Sequence, residues 1–417
     1  MNSTNTLYDA LGPVLGKYYK DAADAGKLPK TAQFLSDMNK SASTGVAKAT
    51  YQHPRPYVDR VNFNGTTLNM NGLKQTLNIK KVPGYENFDW GDGEAPDNEY
   101  DGLYNSGSFP SGHTTFAFTQ GAGLAYLLPE LGPEIMTRVS EAGNNRIVLG
   151  VHYPLDIMGG HIAGQYGVAT AVSGEKTAQE GAAARAELVD YLTAQCKADN
   201  HGDTLDACIT NTGANAANGY RNDFTDEVST KPVTDRASAL AAYKARMTYG
   251  FQATGTTGQA PVVPDSAVRM FDNVAAFKSL DSAQKKAVLA ATEGDSGYPL
   301  DASSQGWARV NLAAAYSAKV TLSADGKNVV KVEPGQAQAS VVRETSGNNG
   351  NNGGNGGNGN GGSNAGNTGV NNAAGRNPSG TQPLSKTGAD VSGIASAFIL
   401  IAAAGVTIMM IRRKHAI

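Results

Sequence analysis

RIVLGVHYPLD, residues 146–156, sets an arginine, a histidine and an aspartate at fixed intervals. His152 and Asp156 are four apart, with Pro154 between them. Proline suits the first turn of a helix, so His152 should stand just ahead of one and Asp156 within its first turn. A carboxylate bonded to one imidazole nitrogen fixes the tautomer and leaves the other nitrogen as a nucleophile. Arg146 precedes the pair as a fixed cation. Taken alone, the stretch also reads as a helix start beside a packed histidine.

Two further clusters lie upstream. KATYQHPRP, residues 48–56, places Lys48 and Arg55 seven apart. That is close to two helical turns, so the spacing predicts both on one helix face, with Pro56 ending or bending the segment. Arg55 can grip two phosphate oxygens through its planar fork, while Lys48 acts as a point charge. PSGH, residues 110–113, offers Ser111 as an N-cap ahead of a helical pattern. The exposed N–H groups of such a helix start form an anion site. Gly112 lets a ligand approach the backbone, and His113 falls beside it. Singly, these read as a solvated charged face and a capped helix start. Jointly they supply three cations, two histidines and a carboxylate. Positioning and fixed positive charge do most of the work in phosphoryl transfer, so the set suffices to bind a phosphate and attack it without a metal.

In this order and spacing the clusters resemble the type 2 phosphatidic acid phosphatase superfamily, whose signature is Lys-x6-Arg-Pro, Pro-Ser-Gly-His and Ser-Arg-x5-His-x3-Asp. It includes bacterial non-specific acid phosphatases, lipid phosphatases and vanadium haloperoxidases. The resemblance covers Lys48 to Asp156 and the helices around them. One position departs: Asn145 stands where the pattern has Ser, an amide still able to donate a hydrogen bond in support of Arg146. The resemblance implies an all-α helical bundle of the acid phosphatase/vanadium haloperoxidase type. It implies a hydrolase of phosphate monoesters that forms a phosphohistidine on His152. Asp156 would orient His152, and His113 would protonate the leaving oxygen and then help activate water. Lys48, Arg55, Arg146, Ser111 and the Gly112 N–H would hold the phosphoryl oxygens, with no metal or other cofactor. The same signature leaves open a phosphatase specific for lipid phosphate or pyrophosphate, and a vanadate-dependent haloperoxidase. Vanadate would inhibit the phosphatase and serve the haloperoxidase as cofactor.

The rest of the chain sets the context. The net charge is −2 over 417 residues, which gives no reason to expect a nucleic-acid partner. Residues 1–340 read as one phosphatase-like helical domain, with helices expected at 5–25, 31–50, 114–128, 133–144, 154–173, 177–197, 238–246 and 282–292. Residues 61–101 interrupt this pattern as a loop-rich insertion expected to hold short strands. Residues 345–383 are rich in Asn, Gly and Ser and read as a flexible, disordered tether. Residues 391–411 are an uncharged, mostly apolar run long enough to span a bilayer, followed by Arg412, Arg413 and Lys414. Ahead of it stands LSKTG, residues 384–388. Motif, apolar segment and basic tail together resemble the sorting signal of Gram-positive surface proteins, with Ser385 where the usual pattern has Pro. That resemblance implies cleavage by a sortase between Thr387 and Gly388, after Leu384 and its neighbours have been recognised, and attachment of Thr387 to cell-wall peptidoglycan. The membrane would be a partner through the C-terminal segment before processing. The expected location is extracellular and wall-anchored. No apolar signal-peptide region is found in residues 1–30, so export is expected to use a signal lying upstream. Cys196 and Cys208 are expected to pair as a disulfide if the domain is exported.

Overall fold

The structure is a computed structural model that describes residues 7–73, 75–82, 99–222, 232–301 and 304–345. The tether beyond residue 345, the sorting motif and the apolar segment 391–411 lie outside the described residues. So do residues 83–98 of the loop-rich insertion. Among the described residues no helix is long and apolar enough to cross a membrane.

After a 3-10 turn at Tyr8–Leu11, the helices run α1 Gly12–Asp24, α2 Pro29–Asn39, α3 Gly45–Tyr51, α4 Glu99–Gly102, α5 Gly112–Leu127 and α6 Gly132–Val148. Then follow α7 Pro154–Val172, α8 Glu175–Ala198, α9 Leu205–Thr212, α10 Arg236–Thr248, α11 Ser282–Thr292 and α12 Leu312–Tyr316. Three strands close the order: β1 Lys319–Leu322, β2 Val329–Glu333 and β3 Ser340–Arg343. They form one sheet in the order β2-β1-β3, antiparallel between β1 and β2 and parallel between β1 and β3. The expected all-α class therefore needs amending, because a small sheet is appended to the helices. Only two side chains of β1, Val320 and Leu322, are buried, so its alternation is too short to stand out from the helical pattern around it.

α5 is the central element, packed along both α6 and α7. It has no polar face because its surroundings are protein: Phe118, Ala122, Leu124, Ala125 and Leu127 are all buried. Glycines set how closely its neighbours approach. A Cβ at Gly160 of α7 would lie 2.8 Å from the Ser111 carbonyl oxygen, and one at Gly164 would lie 2.4 Å from the Phe118 Cβ. The helix that carries Asp156 is thereby pressed against the turn that carries Ser111 and His113. This contact brings the second and third sequence clusters together.

The first cluster is built differently from expectation. The single helix expected over 31–50 is two helices, with a break at residues 40–44. α3 ends at Tyr51, and Gln52 adopts a left-handed conformation (φ 47°) that turns the chain away. Lys48 is helical and Arg55 is not, so the two do not share a helix face. They reach the site from a helix and from the extended segment behind it. Residues 61–82 hold turns and bends with no strand among the described residues. Cys196 at the end of α8 and Cys208 in α9 are joined by a disulfide and buried in the main core.

Candidate active site

His152 stands immediately ahead of α7 and Asp156 lies in its first turn, the placement implied by Pro154. His152 Nδ1 is 3.1 Å from Asp156 Oδ2, and both side chains are almost fully buried. The same oxygen accepts the Tyr153 backbone N–H at 2.9 Å. On the other side of the ring, Nε2 lies 2.9 Å from Arg55 Nη1. A guanidinium donates and cannot accept. Nε2 must therefore be the unprotonated nitrogen, and Nδ1 carries the hydrogen given to Asp156. Burial, then the Arg55, Lys48 and Arg146 charges, hold the His152 pKa far below its ordinary value, so the ring is neutral. It is held in the tautomer whose free lone pair faces the cations.

Arg55 is fixed by the backbone. Its Nη1 donates to the Val151 carbonyl at 3.0 Å and its Nε to the Ser106 carbonyl at 3.2 Å. Lys48 Nζ donates to the Gly107 carbonyl and lies 3.5 Å from that of Ser108. Residues 106–108 thus form a carbonyl rail that holds both cations of the first cluster. Sequence reading passed over this rail because backbone acceptors leave no side-chain signature. Burial, then the neighbouring Arg55, pushes the Lys48 ammonium down to about 7.

Ser111 caps α5 and is fully buried. Its Oγ accepts the Thr114 N–H at 3.2 Å and the Thr114 hydroxyl at 2.9 Å, which leaves its own hydrogen to give to an anion. Gly112 and His113 occupy the first turn of α5. Burial, then the Arg146 and Arg55 charges, press the His113 pKa down to about 3. Arg146 lies in the last turn of α6 and is buried. Asn145 beside it is exposed, whereas Asn144 is fully buried. The residue in the position of the family serine thus points out of the domain, and the inward-facing amide belongs to the preceding position.

The strap from α6 to His152 turns at Gly150 (φ 68°) and is braced by the insertion. Tyr100 donates its hydroxyl to the Leu149 carbonyl at 2.8 Å and accepts the Val82 N–H at 2.8 Å. Tyr57, Val58, Leu68, Tyr100 and Val151 form a small apolar core of their own. The insertion therefore has a task that its polar composition did not reveal. His53 is partly buried, 3.1 Å from Ser108 Oγ and edge-on to Tyr153. His161 is a core histidine, stacked on Phe118 and bonded to the Tyr243 hydroxyl at 2.8 Å. Among the described residues there is no group of three or more His, Cys, Asp and Glu side chains able to hold a metal ion.

All eight residues singled out for catalysis and phosphate binding fall on this one region, joined by the contact between α5 and α7. Residues 32–178, which enclose it, match the PAP2 superfamily. That match spans about a third of the chain. Two acid phosphatases resemble the chain over a shorter stretch. The acid phosphatase of Zymomonas mobilis subsp. mobilis is 40% identical over 62 residues, 15% of this chain and 24% of that protein. The non-specific acid phosphatase of Providencia stuartii is 33% identical over 72 residues, 17% of this chain and 29% of that protein. The chain thus matches roughly a quarter of the length of these relatives.

Proposed function

We propose that the PAP2 domain hydrolyses phosphate monoesters through a phosphohistidine on His152. The observation that carries this reading is the clamped ring: Nδ1–H on Asp156 and an unprotonated Nε2 facing Arg55. A dianionic phosphoryl group would draw Arg55, Lys48 and Arg146 onto its oxygens, with the Ser111 hydroxyl and the Gly112 N–H at the helix start completing the cradle. Arg55 Nη1 then leaves the Nε2 lone pair, which attacks phosphorus as the ester P–O bond breaks. His113 gives its proton to the departing oxygen. The dianion also reverses the field at His113, because negative charge beside it raises the pKa that the two arginines depress. In the second step His113 takes a proton from water as the water oxygen bonds to phosphorus, the P–N bond breaks with its electron pair returning to Nε2, and inorganic phosphate leaves. Asp156 stabilises the positive charge that the ring carries while it is phosphorylated.

We propose further that the domain works outside the cell, tethered through the chain beyond residue 345. The Cys196–Cys208 disulfide supports an oxidising compartment. The test of activity is turnover of p-nitrophenyl phosphate in the presence of EDTA. Turnover that vanadate inhibits and His152→Ala abolishes is expected. Halide oxidation dependent on vanadate, with no ester hydrolysis, would overturn the phosphatase reading.

A further inference from the structure

Asp156 is held at both oxygens, and only one of them serves His152. The second, Oδ1, receives the Ser108 hydroxyl at 3.5 Å. Ser108 is fully buried and has one hydrogen to give. With that hydrogen aimed at Asp156, its oxygen is left to accept from His53 Nδ1, 3.1 Å away, in the tautomer that carries the hydrogen there. The backbone reinforces the pair, since the Ser108 N–H donates to the His53 carbonyl at 2.8 Å. The resulting chain runs His53 Nδ1–H to Ser108 Oγ–H to Asp156, and back from His152 Nδ1–H to the same carboxylate. Burial, then the nearby Arg60 charge, lowers the His53 pKa, so its ring adds no charge to the site. Arg60 is itself held by the Tyr153 hydroxyl, against whose ring His53 stands edge-on.

We propose that Ser108 and His53 are positioning residues that set the orientation and charge of Asp156, and through it the direction of the His152 lone pair. Neither belongs to the three sequence clusters as functional positions: His53 is one of the unspecified residues between Lys48 and Arg55, and Ser108 lies two before PSGH. The proposal rests on the reading of His152 as nucleophile. The groups facing Asp156 are Lys48 and Arg55 by charge, and His152, the Tyr153 N–H and Ser108 by hydrogen bond. Those facing His53 are Arg60, Tyr153, Ser108 and the Pro54 backbone, with which it forms a hydrogen bond. Of these, the Ser108 hydroxyl is the one whose direction a neutral histidine can dictate. The opposite His53 tautomer would take the Ser108 hydrogen and withdraw it from the carboxylate.

The test uses the full chain, labelled with 15N-histidine, in four forms: wild type, Ser108→Ala, His53→Phe and His53→Asn. Losing a hydrogen bond to a charged group reduces a rate by about tenfold to a hundredfold. Ser108→Ala and His53→Phe are expected to lower kcat for p-nitrophenyl phosphate by that range. KM and vanadate inhibition should stay within about twofold, since neither residue touches the phosphoryl oxygens. His53→Asn keeps an N–H donor near the Nδ1 position and is expected to restore kcat. The His152 Nδ1–H resonance should move in Ser108→Ala and His53→Phe and return in His53→Asn. If that resonance stays in place in the first two variants, the proposal is overturned, whether or not the wild type hydrolyses esters. A moved resonance with unchanged kcat in an active enzyme overturns it equally. His53 is only partly buried, so the His53 pair still decides the matter if Ser108→Ala fails to fold.

Discussion

At the residue scale, the chemistry of Lys48 depends on where the fold puts it. Burial and the Arg55 charge lower its pKa to about 7. A lowered lysine pKa means the charged form persists below about 7 and is lost as pH rises through it. The monoester loses its second proton at about pH 6, so it is already dianionic in that window. Lys48→Arg keeps its charge throughout. The ratio of kcat/KM, wild type over Lys48→Arg, should therefore be flat below about pH 7 and fall about tenfold per pH unit above it. A ratio without that break would show that Lys48 does not titrate in the free enzyme. The residue types at this site were legible in the sequence because each carries its chemistry in its side chain. The tautomer of His152 was legible only as a possibility, since it depends on Arg55 reaching Nε2 across 97 positions of chain. The rail at residues 106–108 was not legible, because carbonyl groups are common to every residue.

At the element scale, the site exists because α5 and α7 approach closely. Gly164 has no room for a side chain against Phe118 and the Thr115 carbonyl. Gly164→Ala should cost about 1–3 kcal/mol of stability through overpacking, read as a lowered melting temperature. It should also lower kcat, since spreading the helices separates Ser111 from Asp156, whose backbone groups are joined at 3.0 Å. Helices were the easiest elements to foresee. The expected 282–292 helix coincides with α11, and the expected 154–173 helix exceeds α7 by one residue. The expected 31–50 helix failed because the periodicity of α2 and α3 runs on across residues 40–44, where the chain turns to bring Ser41 and Ala42 against Gly167 of α7. That tertiary contact has no local sequence signal.

At the scale of the whole molecule, the residues after α9 show how the sheet is joined to the helices. Arg236 at the start of α10 binds Glu134 of α6 with both ends of its fork, and both side chains are buried. Its Nη1 also donates to the carbonyls of Gln336 and Ala337 at 2.7 and 2.8 Å, just ahead of β3. Arg236→Met leaves Glu134 buried without its partner and should destabilise the domain by about 3–5 kcal/mol. The double variant with Glu134→Leu should recover part of that loss in a denaturant titration; no recovery would mean that the carbonyl contacts, not the ion pair, dominate. The disulfide belongs to the same scale. It joins residues 12 apart, and a loop of that size contributes about 3 kcal/mol through the unfolded chain. Cys196→Ala with Cys208→Ala should lower the melting temperature and leave kcat intact, because both cysteines belong to the main core and neither borders His152. The pairing was expected from compartment. The sheet was not, since its strands are short and mostly half-exposed.

The central claim is that phosphorus is transferred to His152. It is tested most directly by mixing the protein with a 32P-labelled phosphomonoester, quenching within the first turnover at alkaline pH, where phosphohistidine survives, and mapping the labelled peptide. Label on the peptide containing His152, absent from His152→Ala, is the expected result. Sustained hydrolysis with no label on that peptide, or with label on another residue, would contradict it.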